Sequence, residues 1–165
     1  HGCMSMTMGV QTGSERMLKE FYNRPTKIDR VVEAAQEIID AGLMGYFDII
    51  TRSPVETEED LKATLDFLMR FPPEMQIMGF SQMTNFPTYA YTRDIEDRDL
   101  IAGDNPNLSD ADYDYYHKLW FLSRGKMDHE KLREVANDPY YREDHTRLDQ
   151  FMKYKGITRF LGIAP

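Results

Sequence analysis

Strand-like and helix-like segments alternate three times in the first part of the chain, and this alternation limits the fold more than any other feature. Residues 4–10 alternate methionine or valine with small or polar residues, which is the period of a strand, and residues 46–50 and 75–83 are two further strand-like runs. Between them, residues 26–42 and 57–71 carry apolar stripes at helical spacing. Strands that alternate with amphipathic helices predict parallel βα units.

Each helix of these units has a predicted start. Ser14 caps a short helix that runs to Tyr22, Thr26 begins the second helix, and Thr57 begins the third. We interpret the acidic run at residues 56–60 as a capped first turn rather than a metal site. A hydroxyl such as that of Ser14, placed where a helix exposes its first N–H groups, can either start the helix or hold a ligand, and the residues alone leave both roles open.

The sequence changes character after residue 93. Residues 84–92 are predicted to be a loop, and residues 94–107 are charged and contain Gly, Asn and Pro, which is typical of a linker. Helices are then expected from Ser109, over 128–137 and over 139–155, with a short apolar end at 157–165 that packs back on the domain. The predicted division is therefore 1–93, a linker at 94–107, and a helical extension at 108–165.

Composition and charge limit the partners and the compartment. The chain has 165 residues, of which 41% are hydrophobic, enough for the core of one domain. The formal net charge is −8 with the basic residues scattered, and no apolar run approaches the roughly 18 residues of a membrane span. We therefore expect neither nucleic acid nor a membrane as a partner. The one cysteine, Cys3, cannot form an internal disulfide, which favours a cytoplasmic protein.

Two groups of side chains in the carboxyl-terminal part are of types that can carry chemistry, and for both we favour a structural interpretation. His117, His129 and His145 lie among aspartates without a tight ligand spacing, which indicates solvated surface rather than a metal site. The helix after Ser109 is rich in aromatic residues, which indicates core packing rather than a platform for a cofactor. These aromatic residues are Tyr113, Tyr115, Tyr116, Trp120 and Phe121.

Polar residues follow each predicted strand, at Gln11–Ser14, Thr51–Pro54 and Thr84–Pro87. Ligands of parallel βα folds bind at the carboxyl ends of the strands, although helix caps and turns by themselves also account for such residues. Asp48 is unusual because it is a carboxylate within an apolar strand. Its burial is costly unless it has a partner or faces a polar interior.

Three segments, taken together, carry a family resemblance. They are "GVQTGSERMLKEFYNRPT", "YFDIITRSPVETEEDLKATLDFLMRFP" and "GFSQMTNFPTYAYTRD", in this order. They resemble the Q-(S/T)-G-S-E turn with its N-R helix end, the D-I-I strand before P-x-E-T-x-E-D, and the F-P-G-T loop of radical S-adenosylmethionine (SAM) enzymes. The match is closest to the branch with an upstream cobalamin-binding domain, which includes anaerobic magnesium-protoporphyrin ester cyclase-like proteins. It covers residues 1 to about 93.

The resemblance implies an α/β fold, a partial (β/α) barrel of three parallel strands followed by a helical carboxyl-terminal region. In such a barrel the three strands would be the fourth, fifth and sixth. The implied binding residues fall into two groups. Gln11, Thr12 and Ser14 would hold SAM, and Asp48, Thr51 and Arg52 would line the interior near SAM or the substrate. No catalytic residue and no metal ligand can be named.

The departures from the family pattern decide what this chain can do alone. Arg52 and Ser53 replace residues that are usually small or Asp-Asn, and Thr88 replaces a glycine. The Cys-x-x-x-Cys-x-x-Cys run that binds the 4Fe-4S cluster is absent, and Cys3 cannot supply three thiolates. We therefore expect a truncated chain whose parent uses SAM and the cluster, with the use of cobalamin open. No cofactor is expected on this chain, and its partner would be the missing amino-terminal half of the barrel.

The resemblance makes the parent a radical SAM oxidoreductase or transferase, and the chain alone is expected to be inactive. A competing hypothesis from another class is a non-catalytic α/β interaction domain. Such a domain would bind a protein partner or form a homodimer through its open strand edges, because an uncovered edge recruits another strand.

Overall fold

Three parallel strands are joined by helices in the first part of the chain. The computed structural model describes residues 2–84, 86, 88–101, 104–125 and 127–152. Within these residues the strands Ser5–Gln11 (β1), Met44–Thr51 (β2) and Gln76–Gln82 (β3) form one sheet in the order β1-β2-β3. Both neighbouring pairs are parallel. The predicted α/β class, with parallel strands joined through helices and followed by a helical region, is confirmed.

Helices connect the strands and then continue the chain. They are Glu15–Glu20 (α1), Ile28–Asp40 (α2), Glu58–Arg70 (α3), Ala90–Glu96 (α4), Asp110–Ser123 (α5), His129–Asn137 (α6), Pro139–Glu143 (α7) and Asp149–Met152 (α8), with a 3-10 turn at His145–Leu148. Two of the predicted starts are confirmed by reciprocal capping contacts. Thr57 N–H donates to Asp60 Oδ2 over 2.8 Å, and Ser109 N–H donates to Asp112 Oδ2 over 2.7 Å. Among the described residues no helix combines the length and the apolarity that crossing a membrane requires.

One face of the sheet is covered by helices. Phe47 is fully buried, and its ring packs at 4.8 Å against the ring of Phe71 at the end of α3. Phe80 of β3 packs against aromatic rings of α5. Alternate residues of β2, Tyr46, Asp48 and Ile50, are half-buried on the opposite face, because successive side chains of a strand point to opposite sides.

The helical region shares its core with the sheet. Trp120 of α5 is fully buried and its indole N–H donates to the Leu61 carbonyl of α3 over 3.2 Å. At the end of α5, Arg124 donates to the carbonyl oxygens of Phe71 and Pro72. The tyrosines predicted to be core are buried as well, with Tyr115 exposing 2% of its surface. The interpretation of the aromatic helix as core packing is confirmed.

Three local predictions are wrong. The segment predicted as loop and linker contains α4, in which Ile95 is fully buried and Thr92 Oγ1 donates to the Phe86 carbonyl over 2.7 Å. The predicted single helix over 139–155 is broken at Asp144, whose carboxylate accepts from the Thr146 N–H instead. The second helix begins after Lys27 rather than at Thr26. Residues 153–165, with the predicted apolar end, lie outside the described residues.

Candidate functional site

The first two strands both end in a residue with left-handed backbone. Gln11, the last residue of β1, has φ 69°, and Arg52, which follows β2, has φ 62°. Because the strands are parallel, both residues lie at the same edge of the sheet. Residues other than glycine rarely adopt this backbone conformation, and residues that do are found more often at binding and catalytic sites. The backbone conformation therefore indicates a candidate site at the carboxyl ends of the strands, which we call the carboxyl edge of the sheet.

Two buried acceptor atoms, one on β1 and one on β2, have no hydrogen-bond partner among the described residues. They are Oε1 of Gln11 and Oδ1 of Asp48. In the sheet, Gln11 pairs with Ile49, whereas Asp48 pairs with Gly9 and lies three residues before the end of β2. Buried polar atoms are almost always hydrogen-bonded, and an unused pair of acceptors is the arrangement that a ligand with hydroxyl donors completes.

Arg24 brings a positive charge to the same part of β1. The turn at Asn23, with φ 49°, leads the chain back so that Arg24 Nη1 donates to the Gly9 carbonyl over 3.3 Å. A Cβ placed on Gly9 would lie 3.8 Å from that nitrogen and 3.9 Å from Oδ1 of Asp48. Sequence reasoning treated Arg24 only as part of a helix end, and the residue pattern gave no signal that it turns back over the strand.

Thr12 and Ser14 are occupied by contacts within the protein. Ser14 is 3% exposed, and its hydroxyl accepts from the Met17 N–H over 3.2 Å while it donates to Asp60 Oδ1 over 2.6 Å. Thr12 is 1% exposed and its Oγ1 lies 3.2 Å from Oγ1 of Thr64. The helix-starting role of Ser14 is confirmed. In this arrangement both hydroxyls hold the turn after β1 against α3.

Thr51 and Arg52 direct their side chains to α5. Thr51 is 2% exposed, and its Oγ1 lies 3.2 Å from Nε2 of His117. The Arg52 guanidinium pairs with Asp110 and lies 4.8 Å from the centre of the Tyr113 ring. Gln11 and Asp48 thus lie on the paired strands β1 and β2 and carry buried acceptors without a partner among the described residues, whereas the side chains of Thr51 and Arg52 contact α5. Asn85, at the end of the third strand, lies outside the described residues.

The prediction that His117 is solvated surface is wrong. Its ring stacks on Phe80 with 4.5 Å between the ring centres, and it is half-buried between α5 and the sheet. Burial lowers the pKa of His117 to about 4, so the imidazole is neutral at pH 7. Among the described residues no three His, Cys, Asp or Glu side chains are grouped so that they could hold a metal ion.

Glu56 is a functional candidate that sequence reasoning missed. It was placed in the acidic turn before α3, but Asp60 makes the capping contacts and Glu56 is 1% exposed. Glu56 Oε2 accepts from the Arg52 N–H over 3.1 Å and from the Tyr113 hydroxyl over 3.0 Å. Burial raises the pKa of Glu56 from 4.5 to about 7, although the bond from Tyr113 acts in the opposite direction. The sequence contains one indication that Glu56 differs from the other acidic residues of this run. It precedes the cap residue Thr57 and therefore lies outside the first turn of α3, where the helix would stabilise a negative charge.

Comparison with known proteins supports the radical SAM resemblance. The chain is 28% identical over 149 residues to a tRNA-2-methylthio-N(6)-dimethylallyladenosine synthase of Deinococcus radiodurans, which is 88% of this chain and 29% of that protein. It is 27% identical over 164 residues to the synthase of the same name from Sulfurimonas denitrificans, which is 97% of this chain and 37% of that protein. The chain is similar to radical SAM enzymes.

The same comparison sets the limits of this similarity. The chain spans about a third of the length of these two relatives. No protein-family model matches it. The two relatives do not support the narrower resemblance to the cobalamin-binding, cyclase-like branch.

Proposed function

We propose that the chain is the carboxyl-terminal half of a radical SAM barrel and that it positions SAM and the substrate for 5′-deoxyadenosyl radical chemistry. The observation that carries the proposal is a pair of buried acceptors on β1 and β2, Gln11 Oε1 and Asp48 Oδ1, which have no partner among the described residues, together with the strained backbone of Gln11 at the end of β1. The similarity to two tRNA methylthio-nucleoside synthases supports the same class of enzyme.

The residues at this edge fit the polar part of SAM. Gln11 Oε1 and Asp48 Oδ1 suit ribose hydroxyls, which donate hydrogen bonds. The guanidinium of Arg24, over β1, suits the carboxylate of the amino-acid part. Once bound, SAM would supply the adenosyl radical and release methionine on accepting one electron from a cluster outside this chain, and these side chains would bind and orient it.

The chain does not fit the 4Fe-4S cluster. Such a cluster needs three thiolates that leave one iron open, and Cys3 is the one cysteine of the sequence and is exposed. We therefore assign the cluster to a partner half of the barrel outside this chain and derive no reaction step through it. In the proposal the chain alone is inactive. A narrower form of the proposed function places the parent protein in the cobalamin-binding branch. A measurement of whether the parent protein binds cobalamin tests it.

SAM binding by the protein that carries this chain, with its cluster reconstituted, tests the proposal. Gln11→Met keeps the length of the side chain and removes its hydrogen-bonding groups. We expect its Kd for SAM to rise about tenfold, the loss of roughly one hydrogen bond of about 1.4 kcal/mol. Gln76→Ala, at the amino end of β3, is the control and should leave the Kd unchanged. No binding by the wild type, or equal binding by Gln11→Met, would contradict the proposal.

A second candidate, the non-catalytic interaction domain, is favoured by one observation. Among the described residues, the outer edges of β1 and β3 carry no strand partner. Light scattering of the 165-residue chain distinguishes the two proposals. A stable dimer whose formation is lost when proline is placed in β1 supports pairing through the edge, and a monomer at all concentrations contradicts self-association.

A further inference from the structure

Two residues outside the strand-helix units bind the turn after β2, Asn105 through the backbone of the turn and Tyr113 through the side chain of Glu56. Asn105 is 9% exposed, and its Nδ2 donates to the carbonyl oxygens of Ser53 and Glu56, both over 2.8 Å. The same nitrogen lies 3.1 Å from the Tyr113 hydroxyl. Asn105 falls in the segment predicted to be a linker, yet its side chain joins the two ends of the turn.

The side chain of Glu56 completes this arrangement from within the turn. Its Oε2 accepts both the Arg52 N–H and the Tyr113 hydroxyl, so the carboxylate links the strained residue to α5. The Arg52 side chain continues the contact, because it lies over the Tyr113 ring and pairs with Asp110. A left-handed residue other than glycine persists only where its surroundings hold it, and here most of the holding groups come from the carboxyl-terminal region.

We infer that Asn105 and Tyr113 are positioning residues of the site: through Glu56 they hold Arg52 and the end of β2 in the geometry that the edge of the sheet presents to its ligand. The inference deepens the proposed function and rests on it. It gives the helical region a role in binding that neither the family resemblance nor the relatives assign to it.

Because Glu56 can change its charge near neutral pH, the inference predicts that ligand binding depends on pH. A purely structural role of Glu56 predicts no such dependence. The groups that act on it come from several elements: Arg16, Tyr22, Arg52, Asp60, Tyr91 and Tyr113. Burial brings its pKa to about 7. The ionised carboxylate accepts more strongly from Arg52 N–H and Tyr113 O–H than the neutral acid does. The site should therefore bind its ligand more tightly as the pH rises from about 6 to about 8.

A pair of matched variants on one helix tests the inference. Tyr113→Phe removes the hydroxyl that binds Glu56. Tyr115→Phe removes the hydroxyl of another buried tyrosine of α5, whose bond is to the Ala136 carbonyl over 3.0 Å, away from the turn. In the parent protein with its cluster, we expect Tyr113→Phe to speed hydrogen exchange at the Arg52 amide about tenfold and to weaken SAM binding about fivefold. Tyr115→Phe should change neither.

Glu56→Gln supplies the second arm and keeps the test decisive if Tyr113→Phe fails to fold. We expect the Kd of the wild type for SAM to fall between pH 6 and pH 8, and that of Glu56→Gln to be constant. Suppose that the wild type binds SAM. If Tyr113→Phe then binds SAM and exchanges the Arg52 amide as Tyr115→Phe does, or if Glu56→Gln shows the same pH dependence as the wild type, the inference is overturned and the proposed function stands. If the wild type does not bind SAM, both fail.

Discussion

Gly13 shows how a single missing side chain sets the position of the first turn. A Cβ on this residue would lie 2.6 Å from Cβ of Phe67 and 2.6 Å from Cα of Thr64. Its N–H donates to Thr64 Oγ1 over 3.0 Å. The close approach of the turn to α3, directly after Gln11, therefore requires glycine.

Gly13→Ala should destabilise the 165-residue chain by about 2–4 kcal/mol, because backbone atoms of α3 cannot move aside as a flexible side chain would. Urea unfolding measures the effect. Gly79→Ala is the matched control, since a Cβ there meets nothing within 4 Å, and it should change the free energy of unfolding by less than about 1 kcal/mol. Equal effects of the two substitutions would show that the turn does not lie against α3.

The residues that could be predicted from the sequence are those that depend on local pattern. Ser14 was recognised as a cap because its partner, the Met17 N–H, is three residues away. Glu56 and His117 were missed because their contacts join residues 57 and 66 positions apart, to Tyr113 and Thr51 respectively. The position of Glu56 before the cap residue sets it apart from the helix, but neither residue type nor spacing predicts the partners in such contacts, which arise only when α5 packs on the sheet.

Among the elements, α3 organises the site because it binds the turn after β1. Asp60, in its first turn, accepts from the Ser14 hydroxyl and from the Arg16 guanidinium, and caps α3 through Thr57. Burial alone would raise the pKa of Asp60, but the hydrogen bonds from Arg16, Ser14 and Thr57 outweigh it and lower the pKa. One carboxylate thus starts α3 and ties α1 to it.

Asp60→Asn should cost about 2–3 kcal/mol at pH 7, since it weakens several charge-assisted hydrogen bonds at once. Asp66→Asn, an exposed aspartate of the same helix, is the control and should cost less than about 0.5 kcal/mol. Because the pKa of Asp60 is lower in the folded state, its contribution is present above its unfolded pKa and is lost as the pH falls through the folded pKa. The difference between wild type and Asp60→Asn, measured by urea unfolding at several pH values, should therefore shrink in acid. A difference that is independent of pH would contradict this role.

Secondary-structure elements, like single residues, could be predicted where the local sequence pattern is strong and not where it is weak. Strands and helices with a strong period, β1 to β3 with α2 and α3, were found from the sequence. α4 was missed because its two buried residues, Thr92 and Ile95, are too few to produce a helical stripe. The break at Asp144 was missed because an aspartate within a polar segment can cap a new turn as readily as continue a helix.

At the scale of the whole molecule, buried side chains of the helical region and of the sheet form one hydrophobic core. Trp120 and Arg124 fix α5 to α3, while Asn105 and Tyr113 hold the turn after β2. In the proposed parent enzyme, the missing half of the barrel would add strands beside β1. It would also bring the 4Fe-4S cluster towards Gln11 and Asp48. In this proposal the helical region would hold the turn after β2 from outside the barrel.

A structure of the parent protein with SAM and its cluster bound tests this account most directly. We expect β1 to pair along its outer edge with a preceding strand, and the polar part of SAM to lie within hydrogen-bond distance of the Gln11 amide, at the carboxyl ends of β1 and β2. SAM bound elsewhere in the protein, or an outer edge of β1 that faces solvent in the intact enzyme, would contradict the account.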